Sequence, residues 1–445
     1  MNYNSRLIVL ECLLKVNIDR GYSNIVLDKQ LKKYNLNKKD AAFVTTIFYG
    51  VLERAIYFDY LVSQYSKIQI AKISQDIIEI LRIGLYQILY MDKVPNSAAV
   101  NESVKLCRIR KKTSACGFVN AILRSIIRNI NDLPLPDEKK NRIKYLSVKY
   151  SCPQEIINLW ELSYGTCVTK KLLESLSIKP PLVIRVNTLK TTKEKLINDL
   201  QNEGIRVLNV DIVNNALIID STVSISESKA FKQGKFHVQD ISSQICCKML
   251  DPRKGEKVLD VCSAPGGKTF TIAQIMDGVG RIDSFDKYDH KVNLIEQGAK
   301  RLGIDIIHAK KRDALTNNFD LGEYDKVLCD VPCSGLGIIR RKPEIRYFKK
   351  ETLDSFKDLQ YLILYRTKRF VKIGGILLYS TCTLNIHENK EVCERFLREN
   401  SEFIPYSLNL DGIKAAIEEP SNQLTLMPYT NNTDGFFICA FKRLR

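Results

Sequence analysis

Among the thirteen cysteines of this 445-residue chain, Cys333 and Cys382 stand apart. Each closes a short apolar run and enters turn-type sequence, Asp330-Val331-Pro332-Cys333-Ser334-Gly335 and Tyr379-Ser380-Thr381-Cys382-Thr383. A free cysteine is most often a buried small hydrophobe. That reading suits Cys12, Cys107, Cys246, Cys247, Cys329 and Cys439, which lie inside apolar patterns. It does not suit a thiol leaving a strand for a turn. If both runs are strands of one open α/β sheet, the two thiols face one cleft, because such sheets bind ligands at the carboxyl ends of their strands. A free thiol has a pKa of about 8.5, so a catalytic one needs surroundings that favour the thiolate nucleophile.

A second constellation lies upstream, where Val258-Leu259-Asp260-Val261 runs into Cys262-Ser263-Ala264-Pro265-Gly266-Gly267-Lys268 and then a helical pattern. A buried strand, a tight turn and a helix start bring backbone N–H groups to a ligand. Three readings compete. A Walker phosphate loop needs glycine where Cys262 stands, and a dinucleotide fingerprint needs G-x-G-x-x-G where Ser263-Ala264-Pro265 stands, so both patterns fail. The failed fingerprint also excludes a nicotinamide oxidoreductase. The third reading is S-adenosylmethionine (SAM), which has no pyrophosphate and needs only a close-approach turn, supplied by Gly266 and Gly267. Asp286, twenty residues after Gly266 at the end of the next apolar run, is placed to take ribose hydroxyls, and Asp313 after the third run to reach an adenine edge. SAM beside a thiol points to methylation of a poor nucleophile such as C5 of a pyrimidine. Thiolate addition at C6 would activate C5, a base would then remove the C5 proton, and Asp330 could hold the base edge. These residues alone do not rank Cys333 and Cys382.

The elements that position these residues are legible. Strands are expected at 257–262, 281–286, 304–308, 325–330 and 375–380 with helices between them, a mostly parallel, doubly wound sheet. The apolar run Gly435 to Phe441 is expected to return as a late strand. Before it, Leu182 to Asn187, a helix at 192–203 and strands near 205–209 and 216–220 read as a small α+β unit. Residues 3–130 read as successive amphipathic helices. Ile77, Leu81, Leu85 and Ile88 share one face and Phe118, Ile122 and Ile126 another, with breaks at Asp19-Arg20-Gly21, Asn35-Leu36-Asn37 and Pro95-Asn96-Ser97.

The net charge of +18 is concentrated early: residues 1–150 carry 25 Lys and Arg against 13 Asp and Glu. A basic helical unit suggests a polyanionic partner such as nucleic acid, with Arg108, Arg110, Lys111 and Lys112 as a candidate patch. Unpaired cysteines in a long Lys-rich chain read as cytosolic. No C-x-x-C pair occurs, so no metal site is expected. Glu11 and Lys15 interrupt the first apolar run, and no stretch of about 18 apolar residues occurs, so neither signal peptide nor membrane span is expected.

Several ordered motifs resemble RNA cytosine C5-methyltransferases of the Sun/Fmu/RsmB group, rRNA enzymes with a fused NusB-like domain. In the helical region they are Gly21-Tyr22-Ser23-Asn24, Phe48 to Leu52, Leu85 to Tyr90, Val94 to Glu102 and Gly117 to Arg124. Arg185 to Lys190, Phe236 to Asp240, Cys262 to Lys268, Asp330 to Gly335, Ile338 to Ile345, Tyr379 to Asn389, Leu426 to Pro428 and Asp434 to Phe437 continue the resemblance over almost the whole chain. Position 263 is Ser where relatives often have Ala. The resemblance implies an all-α NusB-like RNA-binding bundle (1–135), connecting helices with a small α+β RNA-docking unit (136–232) and a Rossmann-like methyltransferase domain (233–445) whose last strand is antiparallel. It implies Cys382 as nucleophile and Cys333 as the residue assisting product release. It also implies SAM contacts at Cys262, Ser263, Ala264, Pro265, Gly266, Gly267, Lys268, Asp286, Asp313 and Asp330. Arg340, Arg341 and Lys342 become candidates to hold RNA phosphates. The expected substrate is cytosine 967 of unassembled 16S rRNA, in the cytoplasm, with no obligate protein partner. The rivals are the same chemistry on another rRNA or tRNA cytosine, or a non-catalytic RNA-binding module of antitermination type.

Overall fold

The computed structural model describes residues 4–19, 21–210, 212–220, 225–316, 322–347 and 355–445. The chain forms two compact units, residues 1–177 with 339–348, and residues 178–338 with 349–445.

The first unit is helical: Ser5–Asp19, Ser23–Tyr34, Lys38–Tyr65, Gln75–Tyr90, Asn96–Ile109, Cys116–Arg128, Arg142–Tyr150 and Gln154–Ser175. The breaks fall at the expected places, though Arg20 of the first lies outside the described residues. Asn35, in the left-handed conformation at φ 43°, ends the second helix. Helix Lys38–Tyr65 is long and apolar enough to cross a membrane by composition, but Val44, Ile47, Phe48, Phe58 and Leu61 on it are fully buried in the bundle core. Gly50 lets this helix approach Gln75–Tyr90, since a Cβ there would lie 2.0 Å from the Tyr86 ring.

The compact unit also takes in the helices after residue 135. The Ile56 N–H donates to Ser151 Oγ at 3.0 Å, joining the third helix to the end of Arg142–Tyr150. Residues 339–348, far downstream in sequence, also belong to it. Arg346, 2% exposed, donates to the carbonyls of Glu53 (2.9 Å) and Ser151 (3.0 Å). The Tyr347 hydroxyl donates to the Leu52 carbonyl at 2.7 Å, and Glu344 accepts from the Ser23 N–H at 3.0 Å. The buried Arg346 guanidinium is thereby placed against main-chain carbonyls, a charge-assisted contact.

The second unit holds two sheets. Strands β1 (Leu182–Val186), β2 (Arg206–Asn209), β3 (Ala216–Asp220) and β4 (Phe236–Val238) form an antiparallel sheet in the order β2-β3-β1-β4, with helix Lys193–Asn202 against it. β4 completes this sheet.

The larger sheet contains β5 (Lys257–Asp260), β6 (Arg281–Asp286), β7 (Ile307–Lys311), β8 (Tyr324–Asp330), β9 (Val371–Thr381), β10 (Phe403–Pro405), β11 (Gln423–Leu426) and β12 (Phe436–Arg443). Its order is β10-β12-β9-β8-β5-β6-β7, with β11 also paired to β12. The five strands β5 to β9 are parallel and β12 runs antiparallel to β9. The strand expected at 304–308 begins instead at Ile307. Gly303, at φ 67°, ends helix Asp289–Leu302, and the Ile304 N–H donates back to the Ala299 carbonyl at 3.0 Å, so Ile304 is the buried contact of a helix C-cap. Helices pack on both faces of this sheet, which buries β5, β8 and β9 almost completely.

Candidate active site

β5 and β6 are neighbours, and the turn after β5 is tied to β6. Ser263 donates twice to the Phe285 carbonyl, from its N–H and from Oγ, each at 2.9 Å. The Ala264–Pro265 peptide is cis, and Gly266 follows at φ 104°, a conformation L side chains rarely adopt. Helix Gly267–Ile275 starts there, its first turn of N–H groups at the carboxyl end of the sheet. Beneath the turn, Asp260 accepts from Thr269 Oγ1 at 2.7 Å, and burial raises its carboxyl to about 7.

Asp286, 5% exposed at the end of β6, is held by the Tyr288 N–H (3.3 Å) and Lys291 Nζ (3.5 Å). Asp313 follows β7, accepts from the Leu315 N–H at 3.0 Å and pairs with Lys287 at 3.0 Å. Asp313 edges a small hollow walled by Leu259, Val261, Phe285, Ala314 and Phe370, with Arg312, Thr316 and Thr367 also lining it. Two strand-end carboxylates and a close-approach turn at one sheet edge suit a nucleoside with an amino-acid tail, as SAM is.

Lys268 carries the turn across to β8. Its ammonium pairs with Asp330 Oδ2 at 2.7 Å, and Ser380 Oγ donates to Asp330 Oδ1 at 2.9 Å. Burial disfavours the Lys268 ammonium, but the Asp330 carboxylate more than offsets this and holds its pKa above the usual lysine value. Asp330 therefore belongs to both halves of the site.

Beyond Asp330 and Thr381, the ends of the paired strands β8 and β9, the two thiols meet: Cys333 Sγ lies 3.2 Å from Cys382 Sγ. Both are partly exposed. The contact with Cys382, followed by burial, pushes the Cys333 thiol well above the ordinary thiol range. The cysteines read as core residues are buried, with Cys12, Cys107, Cys246, Cys247, Cys329 and Cys439 each at 0% exposure.

Other expectations are redistributed. Arg340 is only 8% exposed, which removes it as an open phosphate ligand, while Arg341 and Lys342 are partly exposed, Lys342 over the Tyr22 ring at 5.3 Å. Arg108, Arg110, Lys111 and Lys112 are exposed, Arg110 paired with Asp76 at 2.6 Å. Sequence reasoning overlooked Glu388 and Gln360, which brace the thiol loops. Glu388-Asn389 belongs to the Tyr379 to Asn389 motif, but nothing in the pattern around Gln360 sets it apart.

Three family models cover the chain: NusB over residues 3–128, an RsmF/B-like ferredoxin-like domain over 152–226, and 16S rRNA methyltransferase RsmB/F over 247–442. The probable ribosomal RNA small subunit methyltransferase B of Bacillus subtilis (strain 168) is 36% identical over 445 residues, covering 98% of both chains. The chain belongs to the RsmB/Sun family of SAM-dependent rRNA methyltransferases. The Synechocystis protein described in the same words is 31% identical, covering 99% of both chains. The crystal structure of PH0851 matches 100% of both chains with a TM-score of 0.83 at 26% identity. A methyltransferase homologue from Pyrococcus horikoshii matches 68% of this chain and 99% of its own, with a TM-score of 0.60 at 27% identity. The RsmB/Sun assignment accounts for the order of helical bundle, small antiparallel sheet and Rossmann-like domain found here.

Proposed function

We propose that this chain methylates C5 of a cytosine in 16S rRNA through a transient bond between Cys382 and C6 of the ring, at nucleotide 967 as the family resemblance implies. The observation that carries the chemistry is the 3.2 Å approach of the Cys333 and Cys382 sulfurs beside Asp330. C5 of cytosine is a poor nucleophile, and addition of the Cys382 thiolate at C6 pushes electron density onto it. Asp330 holds the edge of the flipped-out base and supports a protonated ring nitrogen, which makes C6 more electrophilic.

The cofactor supplies an electrophilic methyl group when bound. Residues Cys262 to Lys268 cradle its methionine portion, Asp286 takes the ribose hydroxyls, Asp313 the adenine edge, and Asp330 borders it through Lys268. Cys333 then takes the C5 proton. In the free enzyme the contact with Cys382 keeps the proton on Cys333. Once Cys382 is bonded to C6 that contact is lost, the Cys333 thiol releases its proton to solvent, and the resulting thiolate is the base that takes the C5 proton.

The substrate is unassembled 16S rRNA in the cytoplasm, with no obligate protein partner. The basic surplus of the first unit supports a polyanionic substrate. The test is methyl transfer from labelled SAM to naked 16S rRNA, free 30S subunits and tRNA, with the product base and its position identified. The expected product is 5-methylcytosine in naked 16S rRNA. Labelling confined to tRNA, or at an atom other than C5, overturns the proposal.

A further inference from the structure

Glu388 lies six residues after Cys382 and is fully buried. Its carboxylate accepts only from donors. Oε2 takes the Ser334 N–H at 2.9 Å and Gln360 Nε2 at 2.9 Å, and Oε1 takes Asn385 Nδ2 at 2.8 Å. Its main-chain carbonyl accepts the Tyr379 hydroxyl at 2.6 Å. Gln360 Nε2 also donates to the Pro332 carbonyl at 2.9 Å. Both neighbours of Cys333 in the chain are thus fastened to Glu388, Ser334 directly and Pro332 through Gln360.

The same cluster holds the other thiol. Asn389 accepts from Thr381 Oγ1 at 2.6 Å and donates to the Thr383 carbonyl at 2.9 Å. Thr383 Oγ1 lies 2.7 Å from Ser334 Oγ, and the Gly337 N–H donates to the Cys382 carbonyl at 3.0 Å. Burying a carboxylate is costly unless it is fully hydrogen-bonded, and this one ties the two thiol loops to each other and to Gln360 on helix Phe356–Thr367.

We infer that Glu388 is a positioning residue that, with Gln360, sets the Cys333 loop against Cys382 and so governs resolution of the covalent intermediate rather than its formation. This rests on the two-cysteine reading above. In the step concerned, the C5 proton passes to the Cys333 thiolate, the C5–H electron pair re-forms the C5–C6 double bond, and the C6–S pair returns to the Cys382 sulfur. Cys382 directly follows Thr381, the last residue of β9, and its flanks are held by Asn389 and the Gly337 N–H rather than by the Glu388 carboxylate, so it keeps its attack geometry when Glu388 is changed. Cys333 lies on a turn held by the Glu388 and Gln360 contacts together with the Ser334–Thr383 hydroxyl pair, and losing either of the first two loosens it.

The test is single-turnover reaction of the full-length enzyme with 16S rRNA and SAM, quenched in detergent, measuring the protein–RNA adduct and 5-methylcytosine separately. Glu388→Gln puts an amide donor among donors, so at least one loop contact breaks. It is expected to slow adduct resolution by about 10- to 100-fold. Adduct formation and the KM for SAM are expected to stay within about twofold of wild type, because neither uses that contact. Gln360→Ala, which leaves the carboxylate in place, is expected to trap adduct in the same way and keeps the test open if Glu388→Gln misfolds. Cys333→Ala is run alongside. Adduct with Cys333→Ala but with neither of the other variants overturns this inference alone. No adduct with Cys333→Ala overturns the two-cysteine reading first. Parallel loss of adduct formation and resolution with a lowered melting temperature assigns Glu388 to folding only and also overturns the inference.

Discussion

Gly266 and Gly267 stand side by side in the cofactor turn, yet the structure gives them separate duties that substitution distinguishes. Gly266 has φ 104°, and a Cβ there would lie 2.4 Å from Cζ of Phe270. That ring is 5% exposed and has no room to retreat, because it also covers Gly298, where a Cβ would lie 2.3 Å from the same atom. A left-handed conformation costs an L residue about 1–2 kcal/mol, and forcing a methyl into a packed site about 1–3 kcal/mol. Gly266→Ala should therefore destabilise the second unit by roughly 2–5 kcal/mol, a fall of about 5–15 °C in melting temperature for a unit of this size. Gly267 has no positive φ, and a Cβ there meets nothing nearer than Gln239 at 3.8 Å. Gly267→Ala should change stability by no more than about 0.5 kcal/mol while weakening SAM binding at least tenfold, about 1.4 kcal/mol, because the methyl enters the space the cofactor needs. Thermal unfolding with and without SAM, and calorimetric titration of SAM, read the two effects separately. Wild-type stability in Gly266→Ala refutes the packing argument. Wild-type SAM affinity in Gly267→Ala refutes the close-approach reading of the turn.

Cys382→Ala should abolish turnover without trapping RNA, whereas Cys333→Ala should accumulate an adduct that survives denaturing gels; the opposite pattern reverses the two roles. Asp260 is held at about 7 by burial, above its unfolded value of about 3.9. The folded state therefore binds the extra proton between these values, and its contribution to stability is full below pH 4 and lost as pH rises towards 7. Asp260→Asn should remove that slope, seen as the difference between wild-type and variant unfolding free energies from pH 4 to 7; parallel curves refute it. Lys111, exposed at the end of helix Asn96–Ile109, should when changed to Glu reduce the slope of log binding constant against log salt for 16S rRNA by about 1. An unchanged slope removes it from the RNA footprint. Arg110→Glu is a poorer probe, because it also breaks the pair with Asp76.

The strand–turn–helix at Val258 to Thr269, the parallel strands around it and the amphipathic helices of the first unit are written in local periodicity, and local periodicity is visible in one dimension. The shifted strand at Ile307 shows its limit. An apolar residue after a left-handed glycine can be a helix cap or a strand start, and only the packing of Ile304 decides. The small sheet was legible except for β4, whose three residues are too few for alternation to register.

The site divides along the same line. Residue type and position after an apolar run marked Cys333, Cys382, Asp286, Asp313 and Asp330, because strand ends on one sheet edge are neighbours whatever their separation in sequence. What no pattern could supply is which side chains touch. The 2.7 Å pair of Lys268 with Asp330 joins residues 62 apart, and the 3.2 Å sulfur contact joins residues 49 apart. The burial of Arg340, the residence of Arg346 among helices far upstream, and the carboxylate of Glu388 gripping the turn after Cys333 likewise depend on long-range contacts. Sequence by itself determined the chemistry available to this protein, since reactivity and backbone preference belong to residues. Tertiary structure decided which groups act together, since hydrogen bonds and ion pairs form over about 3 Å and only the packed chain brings those atoms within reach.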